Sequence, residues 1–231
     1  MSAARRLPLF PLPLVLFPDA RVPLHIFEPR YRQMMTDVLA GDRRFGIVYR
    51  PDGVAERELP PGHVGCVACV ETSEVLPDGR SNVLVRGGER FALTGFAPPD
   101  EAPYHVGWIR EFDDDTGESA ALAASVAVRV RDLFTRVGRA ARALTDDRDP
   151  LPDLPDEPAR VSFAIAAVVD LDPTRRQRLL ASRSPVGRLR ELEDVLAPAL
   201  ESLEQRAAVH LRSKSNGHGP QAEAGPSSAA P

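Results

Sequence analysis

Two hydrophobic periods divide the chain. Up to about residue 112, apolar residues come in short runs rich in β-branched and aromatic side chains, most of them closed by Gly, Pro, Asp or Asn. Residues 7–10 and 14–17 are apolar segments set off by prolines, which suits edge strands or extended chain, because proline cannot donate to a ladder. Residues 45–49, 64–72, 82–86, 90–96 and 105–112 read as further strands. One helix interrupts them. Pro29 fits a first turn, Tyr31, Met34, Met35, Val38 and Leu39 fall at helical spacing, and Gly41 closes the pattern. Pro77 to Arg80 form a turn, in which proline presets one dihedral and Gly79 supplies a positive one. Many short strands joined by tight turns suggest a small barrel or folded sheet.

From about residue 118 the period lengthens. Leu122, Val126, Val130, Leu133, Val137, Ala141 and Leu144 step by three and four, the stripe of an amphipathic helix. A proline- and aspartate-rich loop over 145–157 leads to a nearly all-apolar helix marked by Val161, Ala164, Ile165, Val168 and Val169. Asp172 and Ser184 each precede a proline and read as N-caps. The last helix places Leu189, Leu192, Leu196, Ala199 and Leu203 on one stripe, with Pro198 expected to kink or break it. The class is α+β: a β-rich part over 1–112, a helical bundle over 113–212, and a Ser/Gly/Ala/Pro tail over 213–231 expected to be disordered.

Composition narrows the chemistry. At 231 residues, 43% hydrophobic and 27% charged, the chain is an ordinary globular one, and its net charge of −4 argues against a general polyanion binder. Of 29 basic residues only Lys214 is a lysine, and it falls in the expected tail. A P-loop, a Schiff-base enzyme and a Ser–Lys hydrolase each need a positioned lysine, so none of these is expected. Arg5 and Arg6 before an uncharged run mimic a signal peptide, but Pro8, Pro11 and Pro13 interrupt it and no small-x-small cleavage site follows. No uncharged stretch reaches the length of a membrane span. Two cysteines make no disulfide framework, and a reduced, cytoplasmic protein is expected.

The remaining candidates read as structural. Cys66 and Cys69 lack the second ligand pair a zinc site needs, and in a strand they point to opposite faces. His25 and His105 lie in apolar β-like segments and read as hydrogen-bonded structural residues. The acidic runs at 113–115 and at Asp146, Asp147 and Asp149 read as solvated loops. Arg175, Arg176, Arg178, Arg183, Arg188 and Arg190 read as a solvated helix face, diluted by Glu191, Glu193 and Asp194. No metal, cofactor or catalytic group is expected.

More specific is the opening sequence, LPLFPLPLVLFP over 7–18 followed by PLHIFEPRY over 23–31. It resembles the N-terminal substrate-binding domain of the Lon ATP-dependent proteases. Phe45 to Val48, Gly65 to Ala68, Leu76 to Arg80, Gly88 to Phe91, Gln177 to Leu180 and Arg188-Leu189 continue the resemblance in order, over about residues 7–205. The resemblance implies a PUA-like pseudo-barrel followed by a helical bundle, and recognition of protein substrates without the ATPase and peptidase modules.

The expected function is therefore a non-catalytic module that binds unfolded or extended protein segments, as a protease adaptor or a chaperone-like binder, with a protease or chaperone as a further partner. The apolar residues of 7–27 are too many for thin strands to bury, so an exposed apolar groove is expected, with strand addition at an open edge. Phe17, Phe27 and Tyr31 are the candidate anchors, and Arg30 the candidate partner of a carboxylate. The competing reading uses these aromatics to fix the first helix against the barrel. The alternative function is RNA binding, since PUA-like folds elsewhere bind RNA; the acidic net charge speaks against it.

Overall fold

A computed structural model describes residues 4–145, 147 and 149–216, with side chains through residue 206. The first half contains β1 (Arg5–Leu12), β2 (Arg21–Ile26), α1 (Pro29–Ala40), β3 (Arg44–Tyr49), a single 3-10 turn (Glu56–Glu58), β4 (Val64–Val75), β5 (Ser81–Phe96) and β6 (His105–Glu111). The second half contains α2 (Ala120–Thr145), α3 (Pro158–Val168), α4 (Pro173–Ala181) and α5 (Pro185–Asn216). The strand order is β2-β5-β4-β3-β1-β6, and β6 also pairs with β5. Five strands thus close into a ring, with β1 and β3 parallel and the other neighbours antiparallel. This is the expected pseudo-barrel. β2 stands outside the ring on residues 81–86 of β5, and among the described residues no strand pairs with its outer edge.

The barrel explains how so many apolar residues near the N-terminus are buried. Leu7, Leu9, Val48, Val67, Phe91, Leu93 and Ile109, drawn from all five strands, fill the lumen. Phe10, Phe45, Ile47, Cys66 and Val85 point outward, into a second cluster under α1 and the helices. A strand covered on both faces can be apolar at nearly every position. Phe91 fits inside because Gly65 faces it: a Cβ there would lie 2.5 Å from the ring. Cys66 belongs to the outer cluster while Cys69 packs against the lumen, so the pair is split across β4, and burial pushes the Cys66 thiol up. Among the described residues no group of three or more His, Cys, Asp or Glu side chains is placed to hold a metal.

Several boundaries differ from expectation. Of the two expectations for residues 14–17, edge strand or extended chain, no strand forms there, and Val15, Leu16 and Phe17 are buried. Gly87 makes this docking possible, since a Cβ there would collide with the Phe17 carbonyl. The Asp19 N–H donates to the Gly87 carbonyl (2.9 Å) and the Gly87 N–H to the Ala20 carbonyl (2.8 Å). The edge strand is β2, carrying Pro23, and β5 is one continuous strand where two were expected. It runs unbroken through Gly87 and Gly88, with register shifts against β4.

In the helical half both caps form as expected. Asp172 accepts the Arg175 N–H (2.9 Å) and Ser184 accepts the Gly187 N–H (2.7 Å). Val126, Val130 and Phe134 of α2 are buried, whereas Leu122 is exposed. Pro198 does not end α5. Its missing N–H orphans the Asp194 carbonyl, but both residues are on the solvent side, while Leu192, Leu196 and Leu200 hold the opposite side in the core. α5 continues through residues 213–216, which had been expected in the tail; residues 217–231 lie outside the described residues.

The two halves share one core. Phe17, Tyr31 and Met34 belong to the same cluster as Val126, Phe163 and Leu189. A polar latch adds to it, and here two solvated-surface expectations are corrected. Asp114 is not a loop carboxylate facing water but accepts from Arg188 (2.6 and 2.7 Å) and from Arg90 (2.5 Å). The Arg188 and Arg90 side chains are only 1% and 4% exposed. The Ser182 carbonyl accepts from both, at 2.9 Å from Arg188 and 2.6 Å from Arg90; Leu180 O accepts from Arg90 and Ser162 Oγ from Arg188, each at 2.8 Å. The Phe163 ring faces both guanidinium groups, at 4.1 Å from Arg188 and 5.1 Å from Arg90. One carboxylate cannot neutralise two guanidiniums, so these carbonyls and ring faces take up the excess positive charge.

Candidate functional site

The sequence of β2 sets the surface beside it. Its residues alternate, so Leu24 and Ile26 enter the core while Arg21, Pro23 and His25 face out. Cross-strand register places Pro23 opposite Leu84 and His25 opposite Asn82 on β5, with Thr72 and Glu74 of β4 beyond. His25 Nδ1 lies 2.8 Å from Asn82 Oδ1, as expected of a hydrogen-bonded histidine. Pro23, His25, Thr72, Asn82 and Leu84 line a shallow depression of about 400 Å³ on this face. Phe27, just past the end of β2, is 60% exposed and stacks on His25 with ring centroids 6.2 Å apart.

Of the four candidate residues, only Phe27 presents an accessible apolar surface. Phe17 is fully buried, its ring 6.0 Å from that of Phe163. Phe17 is covered because the 14–17 segment lies between sheet and helices. Tyr31 is buried against Phe10, with ring centroids 4.1 Å apart. Tyr31 thus packs the first helix against the barrel, whereas Phe17 packs against α3 and α4 of the helical half.

Arg30 already has its carboxylate. Its two Nη groups donate to Glu56 at 2.6 and 2.7 Å and its Nε to Glu28 at 3.0 Å. His105 Nε2 donates to the same Glu56 at 2.6 Å, which gives His105 its structural role. Burial pushes the Glu56 carboxyl up, but the hydrogen bonds and charges of Arg30 and His105 outweigh it and hold the group below its ordinary value of 4.5. Burial pushes the Tyr31 hydroxyl up, and the neighbouring Glu56 adds to this. A carboxylate with a depressed folded-state pKa stabilises above its unfolded pKa, and that contribution is lost as pH falls through the folded value. Glu56→Gln is accordingly expected to cost about 1–3 kcal/mol at pH 7. The gap from wild type should narrow in thermal melts as pH drops below about 4. A gap that stays constant with pH would mean Glu56 acts by shape rather than charge.

A second concavity lies where the halves meet. A groove of about 560 Å³ runs between the start of β2 (Arg21, Val22) and α3 (Ala164, Val168), with Arg160 and Arg176 on its wall. Sequence reasoning treated Arg176 as a solvated helix residue; it is half-buried, its guanidinium 5.2 Å from the centre of the Phe17 ring. The only sequence signal for it was an arginine three residues before the buried pair Leu179-Leu180. Among the described residues no helix is long and apolar enough to cross a membrane.

Comparison with known proteins places this geometry. The chain is 28% identical to Lon protease 2 of Herpetosiphon aurantiacus over 209 residues, which is 88% of this chain and 25% of that protein. It is 25% identical to Lon protease of Solibacter usitatus over 218 residues, 92% of this chain and 26% of that one. The chain thus spans about a quarter of the length of the curated relatives it matches. The crystal structure of a Lon N-terminal domain protein from Xanthomonas campestris superposes with a TM-score of 0.60 at 25% identity, covering 82% of this chain and 98% of that one. The N-terminal domain of Mycobacterium avium complex Lon protease, 17% identical, shares the fold with a TM-score of 0.62 over 84% of this chain and 98% of its own. The family model for the ATP-dependent protease La (LON) substrate-binding domain matches residues 6–197, and the chain belongs to that family.

Proposed function

We propose that this chain is a non-catalytic protein-binding module that captures extended or unfolded protein segments on the outer face and free edge of β2. The observation that carries the reading is Phe27: a large aromatic, 60% exposed, stacked on His25 at the end of a strand whose outer edge is unpaired. A free edge offers main-chain hydrogen bonds that do not depend on client sequence, and the depression beside it receives alternate side chains of an added strand. Such a surface suits a protease adaptor or a chaperone-like binder, which must accept many clients. Membership in a substrate-binding domain family supports the same reading.

Because Phe27 is exposed, removing its ring separates binding from folding. Phe27→Ala is expected to weaken capture of reduced, carboxymethylated casein about tenfold, as loss of an interface anchor does, while the melting temperature changes little. Unchanged casein capture by the variant would remove this face as the site. Salt-sensitive retention on RNA, with no capture of denatured protein, would instead favour a nucleic-acid module.

A further inference from the structure

We propose that the groove between β2 and α3 is a subsite for an acidic side chain of an extended client segment, with Arg176 as its partner. This rests on the capture reading above and adds a chemical preference to it.

Charge complementarity is the argument. A guanidinium carries five N–H donors. Arg176 makes two long hydrogen bonds, to the carbonyls of Ala167 and Val169 at the end of α3 (3.4 Å each), and one guanidinium face lies over the Phe17 ring at 5.2 Å, which leaves most of its N–H donors without a hydrogen-bond acceptor among the described residues. Among the described residues no carboxylate lies within ion-pair distance of it. Its neighbours in the groove are already paired: Arg160 donates to Asp19 at 2.8 Å, and Arg21 to Glu71 at 2.9 Å. Asp153 also lines the groove, and Asp170 acts on Arg176 through its charge alone. Burial lowers the Arg176 pKa despite Asp170, so this is a cation whose surroundings disfavour its charge. A carboxylate entering the groove would supply a fork-to-fork partner and relieve that penalty.

The shape favours an internal segment as the source of the carboxylate. Arg21 and Val22 are at once the first residues of β2 and part of the groove wall. A segment added to the free edge of β2 therefore passes into the groove at one end. Val15, Ala164 and Val168 line it with apolar surface for the side chains flanking the acid.

The test uses fluorescently labelled octapeptides of alternating Val and Thr with one Glu near an end, N-acetylated and C-amidated, against the full chain. The Glu peptide is expected to bind about tenfold tighter than its Gln counterpart, the usual worth of a charge-assisted pair. Arg176→Gln is expected to abolish that difference while leaving the Gln peptide's affinity unchanged. Equal binding of the two peptides by wild type would overturn the proposal, and because this comparison needs no variant, it stands even if Arg176→Gln folds poorly. An equal loss for both peptides in Arg176→Gln would overturn it too, showing that Arg176 only caps α3. So would a Gln peptide synthesised with a free C-terminal carboxylate that binds as tightly as the amidated Glu peptide, which would make the groove a C-terminus site. If Glu and Gln peptides bind alike while casein capture still depends on Phe27, the groove assignment fails and the capture reading stands. If neither peptide binds and casein is not captured, both fall.

Discussion

Asp114→Asn is expected to lower stability by about 3–5 kcal/mol, the cost of breaking a buried ion pair by removing one partner. For a chain of this size that corresponds to a fall in melting temperature of roughly 6–20 °C. The magnitude follows from what is left behind. Arg188 and Arg90 would remain buried without the Asp114 carboxylate, held by the Ser182 and Leu180 carbonyls, Ser162 Oγ and the Phe163 and Phe112 rings. The asparagine amide can still accept one hydrogen bond but cannot offset charge. The penalty also has a location, because Asp114 lies in the connection between β6 and α2, Arg90 is in β5 and Arg188 is in α5. Loss of the latch should therefore loosen the helices from the barrel, and hydrogen exchange should rise first at the start of α5 and the end of α4. Replacing all three residues together, as Arg90→Met, Asp114→Leu and Arg188→Met, is expected to restore much of the stability, since an apolar cluster carries no desolvation cost. If Asp114→Asn melts like wild type, the latch is an exposed pair in solution and not part of the core.

The same latch shows where sequence reading stops. Period alone separates strands from helices, and the turn around Gly79, the caps at Asp172 and Ser184 and the split of Cys66 from Cys69 are all local, so each was legible. Burial of a charge is not local. Asp114 sits in a run of three aspartates and Arg188 in an arginine-rich stretch, and nothing within ten residues of either distinguishes it from a solvated neighbour. They are 74 residues apart in sequence and meet only because the barrel and bundle share a core. The same holds for Arg30, whose partner Glu56 comes from a 3-10 turn with no pattern of its own. The bounds of β2 were not legible because Pro23 interrupts its alternation, although His25 already read as part of a β-like segment; that proline suits a strand with one unpaired edge. Of the candidate anchors, the aromatic character was readable but the covered face was not, since Phe17 is covered by Phe163 of α3 and Tyr31 by Phe10 of β1, contacts set by the tertiary packing.

Phe17→Ala is expected to cost about 3–5 kcal/mol, whereas Phe27→Ala, ten residues on, should leave the fold nearly unchanged. Phe17 is fully buried among residues from both halves, with Phe163 of α3 beside it and the Arg176 guanidinium over its ring. Truncating it opens a cavity at the seam, and the seam can collapse only partly because Gly87 and the turn at Asp19 hold the backbone on β5. Phe17→Leu fills most of that volume and should cost only about 1–2 kcal/mol. It also removes the ring face beneath Arg176, so it offers a probe of the groove that leaves the guanidinium itself in place. If the groove takes an acidic side chain, Phe17→Leu should keep the preference for the Glu octapeptide, because the charge pair does not need the ring. Thermal melts of the three variants decide the matter. A Phe17→Ala protein that keeps its melting temperature would mean that the 14–17 segment is detached from the helices in solution and that Phe17 is free to serve as a surface anchor after all.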